Sequence, residues 1–279
     1  MIEPGVFLGI GSAIAWGTGD FAGGLAARRA GGMLVTGGAQ VFGFLLLLGA
    51  VVILQPAPPA ASSLVLGAIG GVFGGLGLAA LYRGLSLGAM GIVSAVSGVG
   101  GVLIPLSVGV LLWGNSVQPL QLVGVGCALA AVAAASGATT HGVHRDAVLL
   151  ALAAALGFGL WFVFLNRAAE HDQLWALVAA RGSAAVAIGG TALLRSDRSG
   201  LRPVLPLIGV AGLMDVCANA MVVLSFATIP VGISAALSGT YPLATMLLAR
   251  TILREALPRL GLVAVLLGVA GIALISLEG

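Results

Sequence analysis

The sequence contains no lysine, and only 8% of its 279 residues are charged. A soluble domain usually carries roughly 25% charged residues, so this composition excludes an ordinary water-soluble globule. The twelve basic residues are all arginine, lie in several short stretches and face nine carboxylates, which argues against a nucleic-acid-binding surface. The lack of lysine, with abundant alanine, glycine, arginine and valine, is typical of a GC-rich genome, and we therefore expect a bacterial protein.

Cysteine and histidine are also rare. Cys127 and Cys217 both lie in apolar segments and fit neither a metal-binding spacing nor a disulfide framework. All three histidines, His141, His144 and His171, lie in connections between apolar segments, and no H-E-x-x-H or Walker motif is present. We therefore expect no enzyme activity, no metal and no cofactor.

Long apolar segments dominate what is present, and the mean hydropathy is +1.17. Arginine, proline, glycine and acidic residues divide the chain into ten such segments. They lie near 4–25, 34–54, 64–84, 91–113, 119–137, 146–166, 173–194, 204–226, 232–252 and 259–277. A transmembrane helix needs about 20 apolar residues, and a helix satisfies its own backbone hydrogen bonds in lipid. The sequence therefore predicts an all-α polytopic membrane protein with ten transmembrane helices.

The two halves of the chain resemble each other weakly. Residues 109–124 align with 249–264, pairing Leu120 with Leu260 and Leu122 with Leu262, and residues 85–98 resemble 224–239. Each half holds five segments, so the second copy must begin on the opposite side of the membrane. We predict two inverted five-helix repeats, 1–138 and 139–279, around a central cavity, an arrangement common among secondary transporters.

The arginines are distributed unequally between the two sides of the membrane. Ten lie after odd-numbered segments: Arg28, Arg29, Arg83, Arg145, Arg195, Arg198, Arg202, Arg250, Arg254 and Arg259. Only Arg167 lies in a connection on the other side, while Arg181 falls inside the seventh segment. The positive-inside rule then places both termini outside the cytoplasm of a multi-pass protein in the bacterial inner membrane.

Two of the carboxylates, Asp20 and Asp215, fall within the apolar segments. A charge near the bilayer centre costs at least ~2.5–3.5 kcal/mol, so each requires a partner or a function. Arg181 lies at a depth similar to that of Asp215, and Asn219 follows Asp215 by one helical turn. One interpretation is a structural Arg181–Asp215 ion pair. The other is that Asp20 or Asp215 faces the cavity and exchanges a proton or meets a cationic substrate.

Further candidates for the site are a glutamine and four aromatic residues. Gln40 aligns with Arg181 at the repeat offset, so both are expected to face the pseudo-symmetry axis. Aromatic side chains in four segments could converge on a small molecule by stacking or cation–π contact, although ordinary packing would explain each one separately. These residues are Trp16, Tyr82, Trp161 and Tyr241.

Several short motifs resemble, in order and at the expected segments, an EamA-type member of the drug/metabolite transporter superfamily. They are A-W-G-T-G-D-F at 15–21, L-Y-R at 81–83, D-V-C-A-N at 215–219, Y-P at 241–242 and L-R-E-A-L-P at 253–258. At the end of each fourth segment the family usually has Gly-Glu. Glu255 keeps the glutamate in the second half, and Asn115 replaces it in the first.

The resemblance implies a ten-helix basket working by alternating access, often exporting amino acids, metabolites or toxic compounds in exchange for protons. It also implies cytoplasmic termini, opposite to the arginine distribution.

We therefore predict a secondary active transporter, an exporter of small metabolites. The alternative is a non-transporting membrane assembly or sensory protein whose ion pair is purely structural. A passive channel is disfavoured because pores usually show rings of like residues from symmetric subunits. The expected partners are a small-molecule substrate, protons and the lipid bilayer, with no nucleic acid, and the expected state is a monomer or homodimer.

Overall fold

The computed structural model describes residues 4–114, 116, 118–137, 143–168, 172–195, 200–226, 228–229, 234, 237–256 and 258–276. Asn115, His141 and His171 lie outside this part of the chain. The helices are α1 (Pro4–Ala30), α2 (Gly32–Leu54), α3 (Ala61–Ser86), α4 (Met90–Trp113), α5 (Pro119–Gly137), α6 (Arg145–Ala168), α7 (Gln173–Ala184), α8 (Gly190–Arg195), α9 (Leu205–Phe226), α10 (Tyr241–Ile252) and α11 (Arg259–Ser276). A π-helical turn, Ala185–Gly189, joins α7 to α8, and a 3₁₀ turn, Arg202–Val204, precedes α9.

Most of these helices match the predicted segments to within a few residues at each end. The ninth segment, predicted over 232–252, is interrupted: Ser234, Leu237 and Ser238 are helical, a turn follows at Gly239 and Thr240, and α10 begins at Tyr241. Residues 232, 233, 235 and 236 lie outside the described part of the chain. Pro242 lies in the first turn of α10. A proline is tolerated there because the first N–H groups of a helix have no intrahelical partner.

Within the part of the chain that the structure describes, six helical segments are long and apolar enough to cross a membrane. They are Gly32–Leu54, Ala61–Ser86, Met90–Leu112, Arg145–Ala168, Gln173–Leu194 and Arg202–Val222, and Pro119–Ala135 and Arg259–Ile275 are shorter apolar helices. The chain is thus a polytopic helical membrane protein. Helix α1 contains Asp20 and many small residues, and 15 of its 27 residues are buried, so one face of it packs inside the bundle while Phe7, Ile10 and Ile14 are exposed.

The helices pack in a defined set of pairs. Helix α3 packs on α6 and α7, α1 packs on α9 and α10, and α6 also packs on α4. Helix α2 contacts α9, α7 and the π-helical turn, and α5 pairs with α11. Glycines allow the closest approaches: a Cβ on Gly157 would lie 2.6 Å from the Cα of Gly77, and one on Gly37 would lie 2.6 Å from the Cα of Gly189.

A buried apolar cluster lies at one end of the bundle, where α1 and α3 end and α2, α4 and α6 begin. Its fully buried side chains include Val35, Leu81, Leu85, Met90 and Val93. This is the end opposite the start of α1. The interior of the bundle is therefore filled by apolar side chains on that side.

Candidate functional site

A cavity lies near the middle of the bundle, between α1, α2, α3, α6, α7, α9 and α10. The centres of water molecules can reach about 140 Å³ of it. One water needs roughly 10–15 Å³ of such space, so the cavity has room for on the order of ten waters. A cavity of this volume can hold a molecule the size of a small metabolite.

Arg181 of α7 is the central charged group of the cavity. Arg181 is only 9% exposed, and its Nη1 forms an ion pair with Oδ2 of Asp215 on α9. The same nitrogen donates to Oε1 of Gln40 on α2 at 3.0 Å. The guanidinium group thus joins three helices, and its charge is neutralised by a carboxylate inside the membrane-spanning region.

Asp215 has two further donors besides Arg181. Trp16 Nε1 of α1 donates to Asp215 Oδ1 at 3.1 Å, and Asn219 Nδ2, one turn further along α9, donates to the same oxygen at 3.2 Å. The Asp215 side chain is 23% exposed, more than that of Arg181 at 11%. The carboxylate is therefore both held in position and accessible from the cavity.

Asp20 occupies a different part of the lining. It is 8% exposed and accepts a hydrogen bond from Ser94 Oγ of α4, with Oδ2 as the acceptor at 3.3 Å. Among the residues that the structure describes, no cationic side chain forms a salt bridge with Asp20. The two intramembrane carboxylates thus differ: Asp215 is paired with a cation, and Asp20 is not.

Aromatic side chains form much of the remaining wall. Trp16 and Tyr241 meet edge to face with ring centroids 6.1 Å apart, and Trp161 meets Phe162 in the same manner at 4.7 Å. These rings lie beside the charged groups in the cavity lining. The wall can therefore bind a molecule that has an apolar or planar part next to a polar one.

The structure brings together eight of the nine predicted site residues. Trp16, Asp20, Gln40, Trp161, Arg181, Asp215, Asn219 and Tyr241 all line the cavity. Tyr82 does not, because it is 2% exposed in the apolar core, where a Cβ on Gly23 would lie within 2.3 Å of its ring. Packing, the alternative explanation given for each aromatic residue, accounts for Tyr82.

Sequence reasoning missed the apolar residues of the lining. They are Gly71, Gly74, Gly75, Leu78, Leu81, Phe158, Phe162, Leu177, Ala180 and Ala184. The glycines of α3 leave room for the side chain of Trp161, since a Cβ on Gly74 would lie 2.7 Å from it. The cavity-lining residues of α3 recur every three or four positions, which could have indicated that one face of this helix lines a cavity. The same spacing of small residues also occurs where two helices pack together without a cavity.

Comparison with known proteins gives one family and one fold. The sequence model of the EamA-like transporter family matches residues 146–277. No curated protein matches the chain. Thirteen chains of solved structures match it. One of them, described only as "Crystal structure of protein", has a TM-score of 0.67 and 17% sequence identity, covering 97% of this chain and 95% of that one.

That likeness shows a shared fold over almost the whole length, and the family match covers most of the second half. Together with the membrane-spanning helices, these findings identify residues 146–277, most of the second half of the chain, as a segment of the EamA-like transporter type.

Proposed function

We propose that the protein is a secondary active transporter of the bacterial inner membrane that exports small metabolites, such as amino acids, related metabolites or drugs, by alternating access. The main observation is the central cavity, which has room for a small metabolite and combines aromatic rings with a charged pair and a second carboxylate. The cavity is lined by helices from both halves of the chain. A relative movement of the halves would therefore change access to it.

The pairing of helices supports two inverted five-helix repeats, 1–138 and 139–279. When helices are matched five segments apart, the α3–α6 contact corresponds to α9–α1, α4–α6 to α10–α1, and α3–α7 to α9–α2. The pairs α2–α7 and α5–α11 correspond to themselves. Residues related by a two-fold axis can touch only near that axis, and Gln40 and Arg181, which align between the halves, are hydrogen-bonded. A ten-helix transporter with its substrate on the axis fits this arrangement.

Coupling in this proposal depends on a carboxylate of the cavity. The sequence left Asp20 and Asp215 as equal candidates to carry a proton. Asp215 is neutralised by Arg181, whereas the described residues offer Asp20 no cationic side chain. Asp20 is therefore the better candidate for the coupling charge, and Asp215 with Arg181 is the better candidate to contact the substrate.

One observation favours the alternative, a non-transporting membrane protein. Asp215 is bonded to Arg181, Trp16 and Asn219 without any ligand, as a purely structural ion pair would be. On that interpretation, replacing Asp215 would weaken the fold and have no effect on any small molecule.

The two proposals are separated by ligand binding and by flux. Thermal stability of the purified protein is measured in detergent with amino acids, nucleosides, sugars, polyamines and quaternary ammonium compounds, since a ligand that binds the folded state raises its stability. A compound that raises stability is then used for counterflow in proteoliposomes. We expect Asp215→Asn to abolish flux, and the matched variant Asp146→Asn, at the exposed start of α6, to leave it unchanged. Unchanged flux and an unchanged ligand shift in Asp215→Asn would remove Asp215 from the mechanism.

A further inference from the structure

A polar cluster lies beside the cavity, where α1, α4 and α10 meet. It consists of five oxygen atoms: Asp20 Oδ2, Ser94 Oγ, Thr245 Oγ1 and the carbonyl oxygens of Gly17 and Tyr241. Ser94 and Thr245 are 0% exposed, and Asp20 is 8% exposed. Hard oxygen donors from three helices are thus gathered in the interior of a membrane protein.

The oxygens of this cluster are evenly and widely spaced. Ser94 Oγ lies 3.3 Å from Asp20 Oδ2 and 3.4 Å from Thr245 Oγ1. Thr245 Oγ1 lies 3.3 Å from the Gly17 carbonyl oxygen and 3.4 Å from that of Tyr241. A hydroxyl hydrogen bond is normally about 2.7–2.8 Å long. All four separations are therefore those of weak hydrogen bonds.

Other hydroxyl groups of the same protein provide the comparison. Ser12 Oγ donates to Ser238 Oγ at 2.7 Å, in an equally buried contact between α1 and the residues just before α10. Thr18 Oγ1 donates to the Ile14 carbonyl at 2.7 Å, and Ser183 Oγ to that of Ala68 at 2.8 Å. Separations of 3.3–3.4 Å also occur outside the five oxygens, from Tyr241 Oη to the Ser94 carbonyl and from Thr251 Oγ1 to that of Leu248, but Thr251 Oγ1 has a second, 2.7 Å bond to the Leu247 carbonyl. Among the described contacts, Ser94 Oγ and Thr245 Oγ1 have only the long separations.

A bound cation accounts for such spacing. Oxygen ligands lie about 2.4 Å from Ca²⁺, and Na⁺ has nearly the same radius. Two adjacent ligands of an octahedron are 1.41 times that distance apart, or about 3.4 Å. The cluster matches this value, whereas the larger K⁺ would hold its ligands further apart.

The charge of the cluster selects a monovalent ion. Asp20 is its only carboxylate, and Asp215, the other carboxylate of the cavity, is already neutralised by Arg181. One positive charge would make the cluster neutral, while a divalent ion would leave an excess charge inside the membrane. The donors are hydroxyl, carbonyl and carboxylate oxygens, which suit a hard alkali cation and not a transition metal.

We propose that Asp20, Ser94, Thr245 and the carbonyl groups of Gly17 and Tyr241 form a binding site for a sodium ion. The site joins α1 and α4 of the first half to α10 of the second, and Tyr241 also contacts Trp16 in the cavity wall. Its role as a coupling site rests on the proposed transport function, whereas ion binding itself does not.

The test is the thermal stability of the purified full-length protein in NaCl, KCl and choline chloride at equal ionic strength. We expect NaCl to raise the apparent Tm in a saturable manner and the other two salts to leave it unchanged. Thr245→Val and Ser94→Ala each remove one ligand oxygen with little change in volume, and both should lose the sodium shift. Ser12→Ala removes a buried hydroxyl of α1 outside the cluster and should keep it.

Three results would overturn the site. They are an equal shift in all three salts, a sodium shift retained in both Thr245→Val and Ser94→Ala, and a stability that depends on pH but not on sodium, which would assign a proton to Asp20. Flux in proteoliposomes separates this proposal from the proposed function. A sodium shift without any substrate flux would support the site and contradict the transporter, while flux without a sodium shift would do the reverse.

Discussion

The Arg181–Asp215 pair allows a structural role to be separated from a functional one. Removing one partner leaves an uncompensated buried charge, so Arg181→Met should lower the free energy of unfolding by about 3 kcal/mol, the low end for buried pairs because Asp215 is 23% exposed. The double variant Arg181→Met with Asp215→Leu leaves no such charge and should recover most of that stability. Denaturant unfolding in detergent measures both effects. A double variant with restored stability and normal ligand binding would show that the pair is only structural.

The charged part of this site could be predicted from the sequence because intramembrane charges are rare and helical depth can be counted. Counting placed Arg181 and Asp215 at one level, and the repeat offset placed Gln40 with Arg181; the structure shows all three in contact. The aromatic residues were harder, since Tyr82 and Tyr241 have the same residue type and similar apolar surroundings. Only the packing of α3 against Gly23 puts Tyr82 in the core.

At the level of the helices, α4 and α6 cross closely at two glycines, Gly100 and Gly159, and Gly100 makes the closest approach to backbone. A Cβ on Gly100 would lie 2.0 Å from the carbonyl oxygen of Ala155, a backbone atom that cannot move without shifting α6. Gly100→Ala should therefore lower stability by about 1–3 kcal/mol through overpacking. Gly126→Ala on α5 is the matched control, because nothing lies within 4 Å of the added Cβ. Equal thermal stability of the two variants would show that α4 and α6 can separate without cost.

The start of α10 and the π-helical turn after α7 could not be predicted from apolar periodicity. Hydropathy reports how well a segment suits lipid, and the sequence is apolar across both features. Whether the backbone stays α-helical depends on local contacts instead. The π-helical turn lies against α2, where Gly37 and Gly189 bring the two backbones together. The sequence thus predicted the existence and limits of most helices better than their continuity.

Glu255 connects the end of α10 to the start of α4 and gives a pH-dependent prediction. Its Oε1 accepts a hydrogen bond from the Met90 N–H at 3.1 Å, and Oε2 is buried without a hydrogen-bond partner among the described residues. Burial raises the pKa of Glu255 above its ordinary value of 4.5, although the Met90 N–H and the charge of Arg28 oppose the shift. The carboxyl group therefore holds its proton more tightly in the folded state than in the unfolded state.

The sign of the effect follows from that difference. The stability contributed by the proton on Glu255 is complete below pH 4.5 and is lost as the pH rises through the raised pKa. Glu255→Gln cannot titrate and keeps an oxygen for the Met90 N–H. The stability of the natural protein relative to Glu255→Gln should therefore fall as the pH increases above 4.5. Thermal unfolding of both proteins across that range measures the difference, and a constant difference would contradict the burial argument.

At the scale of the whole molecule, several helix contacts recur between the two halves, as the proposed repeat requires, while the two ends of the bundle differ. The apolar cluster with Leu85 and Met90 fills the end where α3 stops and α4 begins. In the alternating access that we propose, this end would have to open while the other closes. The polytopic all-helical class followed from hydropathy, while ten transmembrane helices and the inverted repeat stay predictions. The apolar packing at one end could not be predicted, because it depends on how the helices tilt against each other.

The orientation of the molecule is the remaining whole-molecule prediction, and it rests on arginine placement. The end of the bundle with the apolar cluster also carries Arg28, Arg83, Arg145, Arg202 and Arg254 in or next to its connections. Arginine-rich ends stay in the cytoplasm, so the start of α1 and the α2–α3 connection should lie outside it.

Labelling of single cysteines tests this orientation in a protein whose Cys127 and Cys217 are replaced by alanine. Pro58→Cys in the α2–α3 connection and Ala256→Cys after α10 are both exposed positions. A membrane-impermeant maleimide applied to spheroplasts should label Pro58→Cys and reach Ala256→Cys only after lysis. The opposite pattern would place the termini in the cytoplasm, as the family resemblance implies, and the apolar cluster would then close the outer side of the cavity.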